Sequence, residues 1–112
     1  MTVASMPHPP LRVQPTRIGD SAVGVALAGD LDMDTGDVFR TRVFDILNGQ
    51  LPAAIVLDLR ELNFLGVAGV RSLCEAHTIA ATYGCALTIG HAPEGVRWLL
   101  SMLELDRVFA MP

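Results

Sequence analysis

The most constraining feature of this sequence is an alternation between short apolar runs of strand length and longer segments with helical periodicity. Three of the apolar runs are nearly continuous, at Ala22–Ala28, Ala53–Leu59 and Ala86–Ile89. Such runs are typical of buried strands in parallel sheets. Two strand–helix–strand connections in one chain favour right-handed crossovers between parallel neighbours. The sequence therefore predicts an α/β fold.

Between these runs, apolar residues recur at spacings of three and four, as in amphipathic helices. The first helix is predicted to follow an N-cap at Asp34 or Thr35 and to end at Gly49, which can adopt the left-handed conformation. The last helix is predicted to start at Pro93. An edge strand is predicted over residues 11–18. The expected architecture is a four- or five-stranded mixed sheet with three to four helices.

Length, charge and cysteine content narrow the class of protein. The 112 residues are expected to form a disordered tail at 1–10 and a single domain at 11–112. Eight basic against twelve acidic residues give a net charge of −4, so no nucleic-acid partner is expected. The N-terminus lacks a signal-peptide pattern and no apolar stretch is long enough for a bilayer, so no membrane insertion is expected. Two cysteines without CxxC spacing indicate a reducing compartment, the cytoplasm.

The high apolar content of the chain indicates a surface that binds another protein or a second copy of the chain. Hydrophobic residues make up 51% of the chain, and its mean hydropathy is +0.43. A buried core accounts for most of this apolar content. An exposed patch that binds another protein, or a homodimer interface, is expected to account for the rest.

Three aspartates stand at alternate positions after the second predicted strand, an arrangement that can bind a hard cation. A calcium loop, however, requires glycine at its sixth position and glutamate at its twelfth, where this chain has Thr35 and Thr41. Aspartate is also favoured in turns and at helix N-caps. We therefore predict no metal at Asp30, Asp32 and Asp34, and a metal-dependent enzyme built on them is the weakest alternative.

The turn at residues 66–69, Gly-Val-Ala-Gly, joins a predicted strand to the N-terminus of a predicted helix. Free amides at such an N-terminus favour anions. A phosphate-binding loop needs lysine before serine or threonine, whereas this helix continues with Val70, Arg71 and Ser72. No serine lies in a nucleophile-elbow pattern. Enzyme chemistry therefore has no visible anchor in the sequence, and we predict no catalytic residue.

Three segments in order resemble the STAS domain of the anti-sigma-factor antagonist type. They are GDLDMDT at 29–35, VLDLRELNFLGVAGVRSL at 56–73 and APEGVRWLLSMLELDRVF at 92–109. The resemblance covers about residues 11–110. It implies a STAS-like α/β fold and a protein that binds an anti-sigma factor, itself a kinase-like protein, and thereby frees a sigma factor. The kinase-like partner would supply the ATP site, so the resemblance implies a protein that acts by binding and needs no cofactor.

In that family the turn before the second helix reads aspartate, serine, serine or threonine, glycine, and the first serine accepts a phosphate. Val67 occupies the phosphoacceptor position here, so no phosphorylation site is predicted. The resemblance, together with the expected meeting of strand ends at one edge of a parallel sheet, predicts the partner-binding residues. These are Asp30, Asp32, Asp34, Gly66, Val67, Ala68, Gly69, Arg71 and Ser72.

Two alternatives stay open within this resemblance. The absent phosphoacceptor also suits a STAS accessory subunit of an ABC-type lipid transport system, which docks on an ATPase subunit. Redox control is a second route to regulation, because Cys74 lies in the helix that follows the turn. Cysteines on apolar helix faces are usually inert.

Overall fold

The computed structural model describes residues 11–112, and the disordered tail predicted at 1–10 lies outside them. Within the described part, four strands form one sheet in the order β1-β2-β3-β4. β1 is antiparallel to β2, whereas β2, β3 and β4 are parallel. The predicted α/β fold is confirmed; of the four or five strands and three or four helices expected, the described residues form a mixed sheet of four strands and three helices. The elements are β1 (Arg12–Arg17), β2 (Ala22–Leu31), α1 (Gly36–Gln50), β3 (Ala54–Leu65), α2 (Val67–Thr82), β4 (Ala86–His91) and α3 (Glu94–Met102).

Helices α1 and α2 pack against one face of the sheet. Strands β2, β3 and β4 follow one another in a single direction across the sheet, so two right-handed crossovers place α1 and α2 on the same side. Along β2, buried residues alternate with half-buried ones. The core therefore lies between this face and these helices, and no helix within residues 11–112 covers the opposite face of the sheet. The largest fully buried side chains of the core include Leu27, Phe39, Leu47, Leu57, Leu73 and Phe109.

Strand β3 is longer than the sequence predicts. Its apolar run ends at Leu59, yet the strand continues to Leu65 beside the end of β2. Register shifts in this pairing, between Ala26 and Ala28 and again between Gly29 and Asp30, let the two strands end together. The turns that follow β2 and β3 therefore lie at the same edge of the sheet.

The predicted end of α1 at Gly49 is wrong. The helix continues to Gln50, and Leu51 takes the left-handed conformation with φ 47° and ψ 51°, donating its N–H to the Leu47 carbonyl over 3.2 Å. The chain then enters β3 through Ala53, whose N–H donates to the Ser21 carbonyl over 2.7 Å. The start of β3 beside β2 therefore decides where the helix ends.

Replacing this left-handed leucine is expected to stabilise the fold. Leu51 is 74% exposed, so Leu51→Gly removes little packing and relieves a backbone conformation that costs a leucine about 1 kcal/mol. We expect a higher urea midpoint at an unchanged slope. Leu103→Gly is the matched control, because Leu103 caps α3 at φ −87° and gains no such relief. A lower midpoint for Leu51→Gly would contradict the argument.

The C-terminal segment packs on the edge strand. Phe109 is fully buried, its carbonyl accepts a hydrogen bond from the Ile89 N–H over 2.9 Å, and its ring lies edge-on to His77 at 5.6 Å. Because this segment fills part of the core, Leu100 is the only residue of α3 that is fully buried. None of the helices within residues 11–112 is long and apolar enough to span a membrane.

Candidate protein-docking site

Two turns meet at the edge of the sheet where β2 and β3 end. The Gly66 N–H points to the Leu31 carbonyl at 3.4 Å, so the turn that starts α2 lies beside the turn that follows β2. Gly66 has extended backbone geometry and precedes the first helical residue, Val67. The turn that carries Asp30, Asp32 and Asp34 is called the aspartate turn, and the turn at residues 66–69 the glycine turn. As predicted, the two turns lie side by side.

Close approach of α2 to β2 explains the glycine at position 69. A Cβ atom there would lie 2.2 Å from the Leu31 carbonyl oxygen and 2.8 Å from Leu65 Cδ1. The Leu31 oxygen is a backbone atom, so it cannot give way by a change of side-chain rotamer. Gly69 thus sets the distance between the two turns.

The aspartate turn is held by its own side chains. Asp32 Oδ1 accepts hydrogen bonds from the N–H groups of Asp34 and Thr35, over 2.9 and 3.1 Å. The Thr35 hydroxyl donates to the Asp30 carbonyl over 2.8 Å. Thr35 is the N-cap of α1, as one of the two predicted alternatives had it, although its side chain makes no capping bond. No group of three acidic, histidine or cysteine side chains in residues 11–112 is placed to hold a metal ion.

Exposed apolar side chains surround the junction of the two turns. Met33 at the tip of the aspartate turn is 82% exposed, and Val67 at the start of α2 is 83% exposed. Phe64, near the end of β3, is 53% exposed, and its ring lies against Gly66. We call Met33, Phe64 and Val67 the apolar edge. Large apolar side chains gathered at one edge are typical of a surface that binds another protein.

Met33 and Phe64 were not among the predicted site residues. Phe64 falls within the segment at 56–73 that carried the family resemblance, but the sequence pattern alone did not show that β3 extends this far. Met33 lies between two of the predicted aspartates, and only the turn geometry directs it outward. Met33 and Phe64 both lie at the site because β2 and β3 end at the same edge of the sheet.

The N-terminal half of α2 carries the remaining predicted residues. Arg71, one turn beyond Val67, is exposed on the outer side of the helix. Ser72 is 2% exposed, and its hydroxyl donates to the Ala68 carbonyl and accepts a hydrogen bond from Arg40 Nη1 over 2.8 Å. The same guanidinium contacts Glu75 and, on α1, Asp37. Arg40 therefore ties α1 to α2 just behind the apolar edge, and the side chain of Ser72 lies inside the domain.

The candidate redox residue Cys74 is half-buried on α2. Burial, and to a lesser degree the nearby Glu75 carboxylate, raises the pKa of its thiol. A thiol with a raised pKa is mostly protonated at neutral pH, and the protonated form is a poor nucleophile.

Slow alkylation is therefore expected for Cys74. At pH 7 its rate with iodoacetamide should fall below that of a free thiol, and the rate should climb as pH rises through the elevated pKa, because only the thiolate reacts. Mass spectrometry of the Cys85→Ser variant isolates the reaction at Cys74. Fast alkylation at pH 7 would contradict the burial argument and favour redox control.

Comparison with known proteins assigns this α/β domain to a family. The chain belongs to the STAS domain family, since the family model described as "Mlab, STAS domain" matches residues 15–111. None of the curated proteins compared with it matches significantly.

Solved structures share the fold. An anti-sigma factor antagonist from Mycobacterium paratuberculosis superposes with a TM-score of 0.78 at 20% identity, covering 96% of this chain and 89% of that one. The unphosphorylated anti-sigma factor antagonist SpoIIAA gives 0.72 at 18% identity, covering 90% and 86%. The protein TM1081 gives 0.73 at 20% identity, covering 100% and 90%. The domain is thus structurally similar to anti-sigma-factor antagonists.

Proposed function

We propose that this STAS domain binds a kinase-like anti-sigma factor through the apolar edge and the exposed side of α2, and so frees a sigma factor. The observation that carries the proposal is the position of Val67. It is 83% exposed at the first position of α2, where the resemblance to anti-sigma-factor antagonists puts the phosphoacceptor, with Met33 and Phe64 at the same edge. Exposed apolar side chains gathered at one edge in this way are typical of a surface that binds another protein.

The proposed surface has no phosphorylation switch. A phosphoserine adds about 1.5 to 2 negative charges, and a charge left unpaired in an interface centre costs several kcal/mol. Val67 and Ala68 have no hydroxyl, and the buried hydroxyl of Ser72 is engaged by Arg40 and Ala68. The surface therefore stays competent to bind, unless another input such as oxidation of Cys74 controls it.

Charge around the apolar edge suggests how a partner is oriented. Arg71 is exposed on one side of Val67, and Asp34 and Asp37 are exposed on the α1 side. A partner surface with an acidic group facing α2 and a basic group facing α1 complements this arrangement, which favours one docking direction. The Asp32 carboxylate accepts hydrogen bonds within the aspartate turn, so its role is to hold the turn in shape.

Binding alone accounts for this function. No cofactor is part of the proposal, and the partner supplies the ATP site. We place the protein in the cytoplasm, where sigma factors and their regulators act.

A docking subunit for a transporter ATPase is the second candidate. The absence of a hydroxyl at Val67 favours it, since that function needs no phosphoserine. The same apolar edge would form the contact.

Affinity capture from the native lysate, with proteins identified by mass spectrometry, tests the proposal. Recovery of an anti-sigma factor with a kinase-like ATPase domain, reproduced with the purified pair, supports it. Recovery of a transporter ATPase instead transfers the function to the second candidate. Release of a sigma factor from the purified anti-sigma complex on adding this protein is the decisive readout.

A further inference from the structure

On the face of the sheet opposite α1 and α2, strand β2 presents only small residues. Along β2 the outward positions are Ala22, Gly24, Ala26 and Ala28, and none is fully buried. No helix within residues 11–112 covers them. Two larger side chains flank these small residues of β2. Ile18, in the turn after β1, is 55% exposed, and Val56 lies on β3.

The small residues leave a depression in the middle of this face. A cavity of about 280 Å³ opens over Gly24 and Ala26. The strand register aligns Gln14, Ala26, Asp58 and His91 in one row across all four strands. The depression thus has an apolar floor and a polar rim.

An ion pair stands on the rim of this depression. Arg60 Nη2 lies 2.6 Å from Asp58 Oδ2, and Arg60 Nε lies 3.0 Å from Asp58 Oδ1. The Asp58 side chain is 26% exposed and that of Arg60 is 62% exposed. The hydrogen bonds from Arg60 hold the pKa of the Asp58 carboxyl below its usual value, so both groups are charged at neutral pH.

A carboxylate directly beside a guanidinium makes a surface complementary to itself. In a two-fold interface each patch faces its own copy, so every residue must suit its rotated counterpart. Rotation of this face about an axis between Asp58 and Arg60 brings each carboxylate to the other copy's guanidinium. A surface carrying one sign of charge would repel its copy at the same place.

We propose that a second copy of this chain packs face to face on the open sheet, with Asp58 and Arg60 exchanging partners across a two-fold axis. The Ala and Gly floor lets two sheets approach to about 10 Å, the spacing of packed sheets. Val67 begins α2, which packs on the other face, so the dimer leaves Val67 and the exposed side of α2 accessible. This proposal does not depend on the identity of the partner.

Charge reversal in separate chains tests the proposal. Sedimentation equilibrium of the wild-type protein should give twice the 12.0 kDa chain mass at micromolar to sub-millimolar concentrations. Asp58→Arg and Arg60→Asp each place like charges across the axis, so each should weaken self-association about tenfold or more. An equimolar mixture of the two variants should dimerise again, because two arginines then face two aspartates.

Asp45→Arg, an exposed charge reversal on α1, is the matched control and should remain dimeric. Circular dichroism checks that every variant folds. A wild-type protein that stays monomeric at all these concentrations overturns the proposal without any variant. So does a dimer that persists in both charge-reversal variants, because its interface would lie elsewhere.

Discussion

Gly69→Ala is expected to lower the free energy of unfolding by about 3 kcal/mol, since inserted core atoms that cannot relax cost 1–3 kcal/mol or more. The new Cβ would lie 2.2 Å from the Leu31 carbonyl oxygen, so α2 must shift away from β2. For a domain of this size the melting temperature should fall by roughly 10 to 20 °C. Urea unfolding followed by circular dichroism measures the effect.

Gly95→Ala is the matched control for this change. Gly95 lies in α3, and an added Cβ there meets nothing within 4 Å. Alanine is favoured over glycine within helices by up to about 1 kcal/mol, so this variant should be as stable as wild type or slightly more so. Equal stability of Gly69→Ala and Gly95→Ala would show that the approach of α2 to β2 is looser than described.

Val67→Glu is expected to weaken binding of the proposed anti-sigma-factor partner about 100-fold, because it places an unpaired charge at the centre of the apolar edge. The fold should survive. Val67 is 83% exposed, and an acidic residue in the first turn of a helix interacts favourably with the helix dipole. Isothermal titration calorimetry with the purified partner measures the loss.

Val108→Glu controls for the added charge, since Val108 is also an exposed valine and follows α3, in the C-terminal segment. It should bind like wild type. If Val67→Glu also binds like wild type, the partner docks elsewhere and the apolar edge has another role. Val67→Ser should keep binding and, with a kinase-like partner, should accept phosphate, because it restores the family's hydroxyl.

Much of the candidate site was predictable because its determinants are local. The aspartates of the turn at residues 30–34 and the glycines at 66 and 69 stand directly after apolar runs, and parallel strands end at one edge. Ser72 shows the limit of this reasoning. Its helix was predicted, but its burial depends on Arg40 reaching across from α1, thirty-two residues away.

The sequence by itself determined the order of strands and helices and the meeting of the two turns, because periodicity and parallel connections are properties of neighbouring residues. Only the tertiary structure decided three other features. Leu51 rather than Gly49 caps α1, since the position of β3 sets where the chain must turn. Phe64 joins the apolar edge because β3 extends beyond its apolar run. Asp58 and Arg60 lie on an uncovered face because both crossovers place α1 and α2 on the other side of the sheet.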